Sequence, residues 1–495
     1  MRTNECCSAV KARRRLHHGN LPDDEHLVLL ISRNSRRRSE ALWKGVHLSM
    51  RTDSSDPVAT ERSSILDVIV YVAAALQGFF FLLFGYFTIV RQPFSDMLAW
   101  INNYLHLRTG DSVIAYLWTF HGEHHLVWIR ALTALDVISF GATGTPLFVA
   151  AAIALFSATY IVVVEMRKSH IFGGDLGALG WLAPMLMFTT ANVVDCTITI
   201  NCQYPITLAF MLASLIMFDV ETDHGGKTLF RRVLALICAA SAGLASAAGL
   251  LVWPVLLWYS WCARAGALWL LAILVTALAY IALYFYGMSS GTGLLESVAS
   301  INTTRMTKMA DYFIMFLGLP ISREPELAFV GRLIGSAVFV VGSWAVLHYT
   351  LTRRRINRLD RFAIALMLIS LGSAVLAAVA RVDIEPDVKV PIRYAVFVAP
   401  FHVALLCIAL PRLALVAEGR WRRTVQRVGC GIAMLLVAQQ IAVGRTAVRT
   451  AAGVRNTVER FYAGERGPNM RIVYPDLQQA EKIVVDMRRA GLWSR

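Results

Sequence analysis

The sequence predicts an all-α fold: a polytopic transmembrane bundle of about eleven helices, with interfacial helices in its first outside loop. Three observations carry this. The chain is 56% apolar and only 16% charged, and its mean hydropathy is +0.54, whereas a soluble domain carries about 25% charged residues. Apolar runs of about 20 residues, each able to cross roughly 30 Å of hydrocarbon, recur along it. Lys and Arg gather between alternate runs, as the positive-inside rule describes. Strict alternation over segments of ~10 residues is missing, which argues against an outer-membrane β-barrel.

Residues 1–64 carry "KARRRLHH" and "SRNSRRRSE" but no long apolar run. They read as a basic, mostly disordered cytoplasmic tail. No signal peptide is expected before the first apolar stretch near Ile65, and Met50 offers an alternative start. The transmembrane domain covers 65–444. Its apolar runs fall near 65–90, 146–165, 174–191, 198–218, 232–249, 250–261, 266–286, 329–350, 361–380, 394–411 and 428–444. "AASAGLASAAGLLVWPVLLWYSW" reads either as two spans with a tight Gly turn or as a span followed by a re-entrant half-helix. Pro254 predicts a kink or break in it, and the small residues Ser241–Gly249 suit close helix contact in lipid. Residues 445–495 form a C-terminal tail, expected in the periplasm.

Charge sets the orientation. With the N-terminus in the cytoplasm, the inside segments hold 28 Lys and Arg, and the outside loops 91–145, 192–197, 287–328 and 381–393 hold nine. The expected location is the inner membrane of a bacterium. The net charge of +15 thus follows topology and does not point to nucleic acid. The eight cysteines show no zinc spacing. They read as small packing residues, with a Cys196–Cys202 disulfide as the weaker alternative.

The first outside loop carries the chemistry. In "RQPFSDMLAWINNYLHLRTGD", Ser95 can cap a helix whose residues Leu98, Ile101, Tyr104 and Leu105 form one apolar stripe. Such a helix lies along the membrane interface. Asp96 falls in its first turn, where the helix dipole favours a carboxylate. It is either a helix-start residue or a general base. "TFHGEHHLVWIRALTALD" reads as a second helix, with His121, His124 and His125 on one face and Glu123 and Arg130 on another. A polar catalytic or substrate-binding face is favoured there. His121 and His125 have the spacing of metal ligands, but the HExxH pattern is absent. No cofactor is expected and a divalent metal is not favoured.

Asp195, Asn201 and Gln203 cluster near one membrane face, where polar side chains mark function or helix contact. "ARVDIEPDVKVPIRYAVF" brings Arg381, Arg393 and Tyr394 to facing helix ends on the outside. A guanidinium fork suits phosphate; the alternative is snorkelling to headgroups beside a Tyr belt. Arg305 and Lys308 add positive charge on that side.

The segments "FSDMLAW", "HGEHHLVWIRALTALDVISFG", "SAAGLLVWPVLL", "YFIMFLGLP" and "ARVDIEPDVKVPIRY", in that order, resemble bacterial polytopic proteins related to the GT-C type membrane glycosyltransferases. The resemblance runs from about residue 65 to the last span and rests on short motifs. Gly122 and His125 replace the group's Asn and Arg in the opening motif, and a paired acid after the first span is missing. The resemblance implies a polyprenyl-phosphate sugar donor and chemistry at the outer face. Asp96 would be the base, with Glu123 as the candidate second carboxylate. Arg381 and Arg393 would stabilise the leaving phosphate, with His121 or His124 assisting. Arg130, Gln203 and Tyr394 complete the candidate substrate contacts. The acceptor would be a cell-envelope glycan or lipid. The rival class, a flippase or transporter of lipid-linked sugars, predicts midplane charges and an internal repeat, and neither is read here. A polysaccharide ligase or polymerase is the closer alternative.

Overall fold

Apolar length decides where the long helices form. The computed structural model describes residues 65–121, 124–173, 176–189, 199–219, 226–287, 302–319, 325–352, 356–382, 390–417 and 419–492. Helix α1 (Ile65–Thr88) is followed by a long first loop. That loop holds α2 (Asp96–Arg108), α3 (Val113–Trp118), a two-stranded hairpin of β1 (Phe120–His121) and β2 (His124–His125), and α4 (Val127–Phe140). Then come α5 (Thr145–Lys168), α6 (Leu182–Met187), α7 (Gln203–Phe218), α8 (Gly226–Ala245), α9 (Val252–Cys262) and α10 (Ala267–Phe285). The last part holds α11 (Thr303–Leu317), α12 (Ala328–Thr352), α13 (Arg358–Arg381), α14 (Ala395–Val416), α15 (Arg420–Tyr462) and α16 (Leu477–Arg489).

Among the described residues, eight helices are long and apolar enough to cross a membrane: α1, α5, α8, α10, α12, α13, α14 with its lead-in from Ile392, and α15. Three shorter apolar helical stretches, Gly177–Met187, Gln203–Phe218 and Ala247–Cys262, fall on the other three apolar runs of the sequence. The chain is a multi-pass helical membrane protein. Burial separates its centre from its rim. The apolar windows of α13 and α14 are 67% and 61% buried, against 17% for α10. The core therefore forms around α13 and α14, while Leu268 on α10 and Trp344 on α12 point outward, as hydrocarbon requires of a rim.

The 232–261 stretch breaks earlier than Pro254. Helix α8 ends at Ala245, Ser246 takes extended backbone, and its Oγ accepts from the Ala248 N–H. Gly249 then passes so close to Ala242 that a Cβ there would lie 2.1 Å from its carbonyl. Pro254 sits in the first turn of α9, where its missing N–H costs nothing.

The two ends of the bundle differ in kind. At one end the first loop joins α5 at Thr145. At the other, Glu165 near the end of α5 accepts from Arg358 Nε at 2.6 Å and from Lys168 Nζ at 2.9 Å. Asp219, just past α7, accepts from Arg361 Nη2 at 2.9 Å and from the Tyr259 hydroxyl at 2.7 Å. Asp360 pairs with Arg412 at 3.0 Å. Helices α5, α7, α9, α13 and α14 thus meet in one charged cluster. The sequence led us to expect polar chemistry at one face only; the second cluster corrects this, because carboxylates that end apolar runs are buried against the arginines that begin α13.

The first and last long helices lie side by side. Gln77 of α1 donates to Gln440 of α15 at 3.2 Å, and a Cβ on Gly444 would meet the Phe84 ring at 2.2 Å. Helix α15 runs unbroken through residue 444 for 43 residues, about 65 Å at 1.5 Å per residue against roughly 30 Å of hydrocarbon. The residues beyond 444 do not hang free. Val458, Phe461, Val473, Ile483 and Met487 share a second apolar core with Met97, Leu98, Ile101 and Tyr104 of α2. The stripe on α2 is as the sequence predicts, but its partner is the C-terminal segment rather than a lipid surface.

Candidate active site in the first loop

The site begins at a strained residue. Ser95 precedes α2 with φ +54° and makes no side-chain cap, contrary to the capping expected of it. Its backbone N–H goes instead to the Val473 carbonyl. Positive φ is rare for a residue with a Cβ and costs of order 1–3 kcal/mol. Asp96 follows in the first turn of α2.

One turn on, the fully buried Trp100 donates its indole N–H to His121 Nδ1 at 3.4 Å. That occupies Nδ1 as an acceptor, so the proton of neutral His121 belongs on Nε2, which faces Asp96 Oδ2 at 3.4 Å. Both contacts are long, near the outer limit for hydrogen bonds. The Asp96 side chain is 44% exposed, so an incoming molecule can reach it.

The His motif is a hairpin, not the helix expected. His121 pairs with His124 and Phe120 with His125. Directly opposed residues share a face of a two-stranded ribbon, so His121 and His124 still lie together. His125 points the other way. Its ring is 4.0 Å from that of Phe120 and 4.4 Å from that of Trp118, and its Nε2 lies 2.9 Å from the Tyr284 carbonyl. It docks the hairpin onto α10. Glu123 lies outside the described residues, as do Asp195 and Cys196. Cys202 is a free, buried thiol.

His124 is half-buried, and the loss of water around its ring pushes its pKa down to about 4, helped by the positive charge of Arg381 and by His121. It is a neutral group at physiological pH, able to hydrogen-bond but not to supply positive charge. Arg381 ends α13, and among the described residues no hydrogen bond or ion pair occupies its guanidinium. Arg305 of α11 reaches the same helix end, donating to the Val379 carbonyl at 3.4 Å.

Arg130 stands apart from this face. It is fully buried, donates to the Tyr116 carbonyl at 2.9 Å, and has its charge beside His125, on the other side of the hairpin. Its Nε and Nη2 have no hydrogen-bond partner among the described residues, and burial lowers its pKa. Asp136, the last charge of the motif, ties the turn into α5, accepting from the Gly144 N–H at 2.7 Å. Burial raises its pKa to about 6 against that bond.

Gln203, Arg393 and Tyr394 form a neighbouring group. The Tyr394 ring stacks on Phe316 and meets Tyr204 edge-on, with centroids 5.6 and 5.8 Å apart. The Arg393 guanidinium lies 5.5 Å from the Tyr394 centroid. Gln203 is buried at the start of α7, after the turn Thr199–Cys202 that touches α2. The structure thus links Asp96 to His121, and His124 by charge to His121 and Arg381, while Arg393 and Tyr394 gather at Tyr204, the chain neighbour of Gln203.

Trp100 was missed in the sequence, although its place four residues after Asp96 puts both on one helix face. Tyr474, whose pKa is raised by burial and by Asp96, gave no local signal. Among the described residues no group of three or more His, Cys, Asp or Glu is placed to hold a metal ion. Comparison of the chain with protein-family models, with curated proteins and with solved structures finds no match.

Proposed function

We propose that the protein is a membrane glycosyltransferase of GT-C type. It would move a sugar from a polyprenyl-phosphate donor to a cell-envelope glycan or lipid acceptor, at the periplasmic face of a bacterial inner membrane. The observation that carries this reading is the exposed carboxylate of Asp96 facing His121, with His124, the residue opposite His121 in the hairpin, lying beside the charge of Arg381. Asp96 takes the acceptor hydroxyl proton, and the freed oxygen attacks the anomeric carbon. The bond from that carbon to the phosphate oxygen breaks, and its electron pair leaves on the polyprenyl phosphate. Base catalysis of this kind contributes about 10²–10⁴-fold. Arg381 is the phosphate partner, with Arg393 as a second candidate, since cations aimed at developing charge stabilise a leaving group. His124 serves as a neutral hydrogen-bonding group.

The test is Asp96→Asn in purified protein supplied with a labelled polyprenyl-phosphate sugar. Transfer should be lost while donor binding persists, whereas Arg381→Ala should weaken donor binding itself. Movement of the labelled lipid across vesicles without transfer, left intact by Asp96→Asn, would replace this reading with a flippase.

A further inference from the structure

We propose that residues Arg455–Leu492 are a positioning element for Asp96, so that the end of the chain completes the site in the first loop. The backbone leading to Asp96 is held from the C-terminal side at successive points. Arg455 Nη2 donates to the Phe87 and Ile89 carbonyls at 3.1 and 3.0 Å. The Tyr462 hydroxyl donates to the Pro93 carbonyl at 2.9 Å. The Ser95 N–H goes to the Val473 carbonyl. Past the helix, Arg108 Nη1 donates to the Ala490 carbonyl at 3.0 Å. Residues 87, 89, 93 and 95 are thus tied to one distant segment, immediately before the candidate base.

These ties bear on the strain at Ser95. Its φ of +54° persists only where surroundings over-determine it. Here the surroundings are Val473 above and the shared core of Met97, Leu98 and Ile101 with Phe461, Ile483 and Met487 below. The direction in which α2 starts, and so the direction of the Asp96 carboxylate toward His121, follows from that conformation. Tyr474, one residue past Val473, is brought beside Asp96, one residue past Ser95.

The proposal rests on Asp96 being the reacting carboxylate, but its test need not. In the full-length protein in its own membrane, Arg455→Ala combined with Tyr462→Phe deletes three of the bonds and leaves the apolar core intact. Asp96 is then marked with a water-soluble carbodiimide and a labelled amine, and read by peptide mass spectrometry. The labelling rate at fixed pH should rise several-fold. Sugar transfer should lose roughly 10-fold or more in kcat with donor KM unchanged, as misplacement of a reacting group predicts. If the double variant folds poorly, Tyr462→Phe alone, one oxygen smaller, carries the same test in weaker form. An unchanged labelling rate in both variants overturns the positioning role. A changed labelling rate in the variant, when the native protein transfers no sugar either, keeps the positioning role and overturns the transferase reading instead.

Discussion

His121 and His124 face each other across a two-stranded hairpin, one bonded toward Asp96 and the other half-buried beside Arg381. The pairing gives two equal side chains opposite electrostatic surroundings, and it has a pH signature. Burial and Arg381 hold the His124 pKa near 4, below the ordinary 6.5. As pH falls through 6.5 the unfolded chain takes up a proton there that the folded chain refuses, so stability present above 6.5 is lost down to about pH 4. A shift of this size corresponds to about 3 kcal/mol. His124 therefore lowers the melting temperature between pH 7 and 4.5, as does His125, whose pKa is lowered too, while Asp136, whose pKa is raised to about 6, works the other way; His124→Gln should remove part of the drop. An identical slope in the variant would show that His124 titrates normally.

How much of this was legible is clearest at that hairpin. Spacing of i, i+3 and i+4 put the histidines on one helical face, and period alone cannot reject that reading. The competing signal is Gly122 followed by one more residue between two short aromatic and His pairs, the sequence of a two-residue hairpin connection. It was outweighed by the apolar periodicity of 126–140, which does form a helix, α4. The long helices and the stripe on α2 were legible because both follow local patterns of apolar residues. The ion cluster was not. Arg358 and Arg361 read as loop charge, and their partners Glu165 and Asp219 lie 193 and 142 residues away. Nothing local tells which arginine meets which carboxylate.

That cluster is expected to dominate stability at its end of the bundle. Asp219 and Arg361 are almost wholly buried, and Asp219→Ala takes from the guanidinium and the Tyr259 hydroxyl the carboxylate that both donate to. Removing one partner of a buried pair costs about 3–5 kcal/mol. Thermal unfolding in detergent should show a large drop for Asp219→Ala, and a smaller one when Asp219→Leu is combined with Arg361→Met. Melting of the single variant at the native temperature would mean that water or lipid headgroups replace the lost acceptor.

Helices α11 and α12 meet through glycine. A Cβ on Gly335 would lie 2.0 Å from the Ile314 carbonyl oxygen, and one on Gly318 would lie 2.1 Å from that of Gly331. The obstacles are backbone atoms, which cannot rotate away. Gly335→Ala should cost about 1–3 kcal/mol, the usual range for overpacking. It should also loosen the Arg332–Asp311 pair, now 2.7 Å, which joins the same two helices. A coupling energy between Gly335→Ala and Asp311→Asn, measured by a double-mutant cycle, checks the second point. Strict additivity would mean that the pair survives the shift.

The packing of the chain's end on the first loop constrains topology without reference to charge. The Ser95 N–H bonds to the Val473 carbonyl, and Ile101 shares a core with Ile483. Reporters fused after residues 110 and 490 must therefore lie on one side of the membrane. A reporter after residue 357 must lie on the other, because the 24-residue helix α13 separates Arg358 in the ion cluster from Arg381 beside His124, about 35 Å at 1.5 Å per residue. From the distribution of Lys and Arg, the first pair is expected to report periplasmic and the third cytoplasmic. Disagreement between 110 and 490 would break the shared core and with it the positioning of Asp96. Agreement with both signs inverted would keep the fold but turn the Asp96–His121 pair toward the cytoplasm. A lipid-linked sugar presented at the outer leaflet could not reach the base there, and the transferase reading would fail on geometry alone.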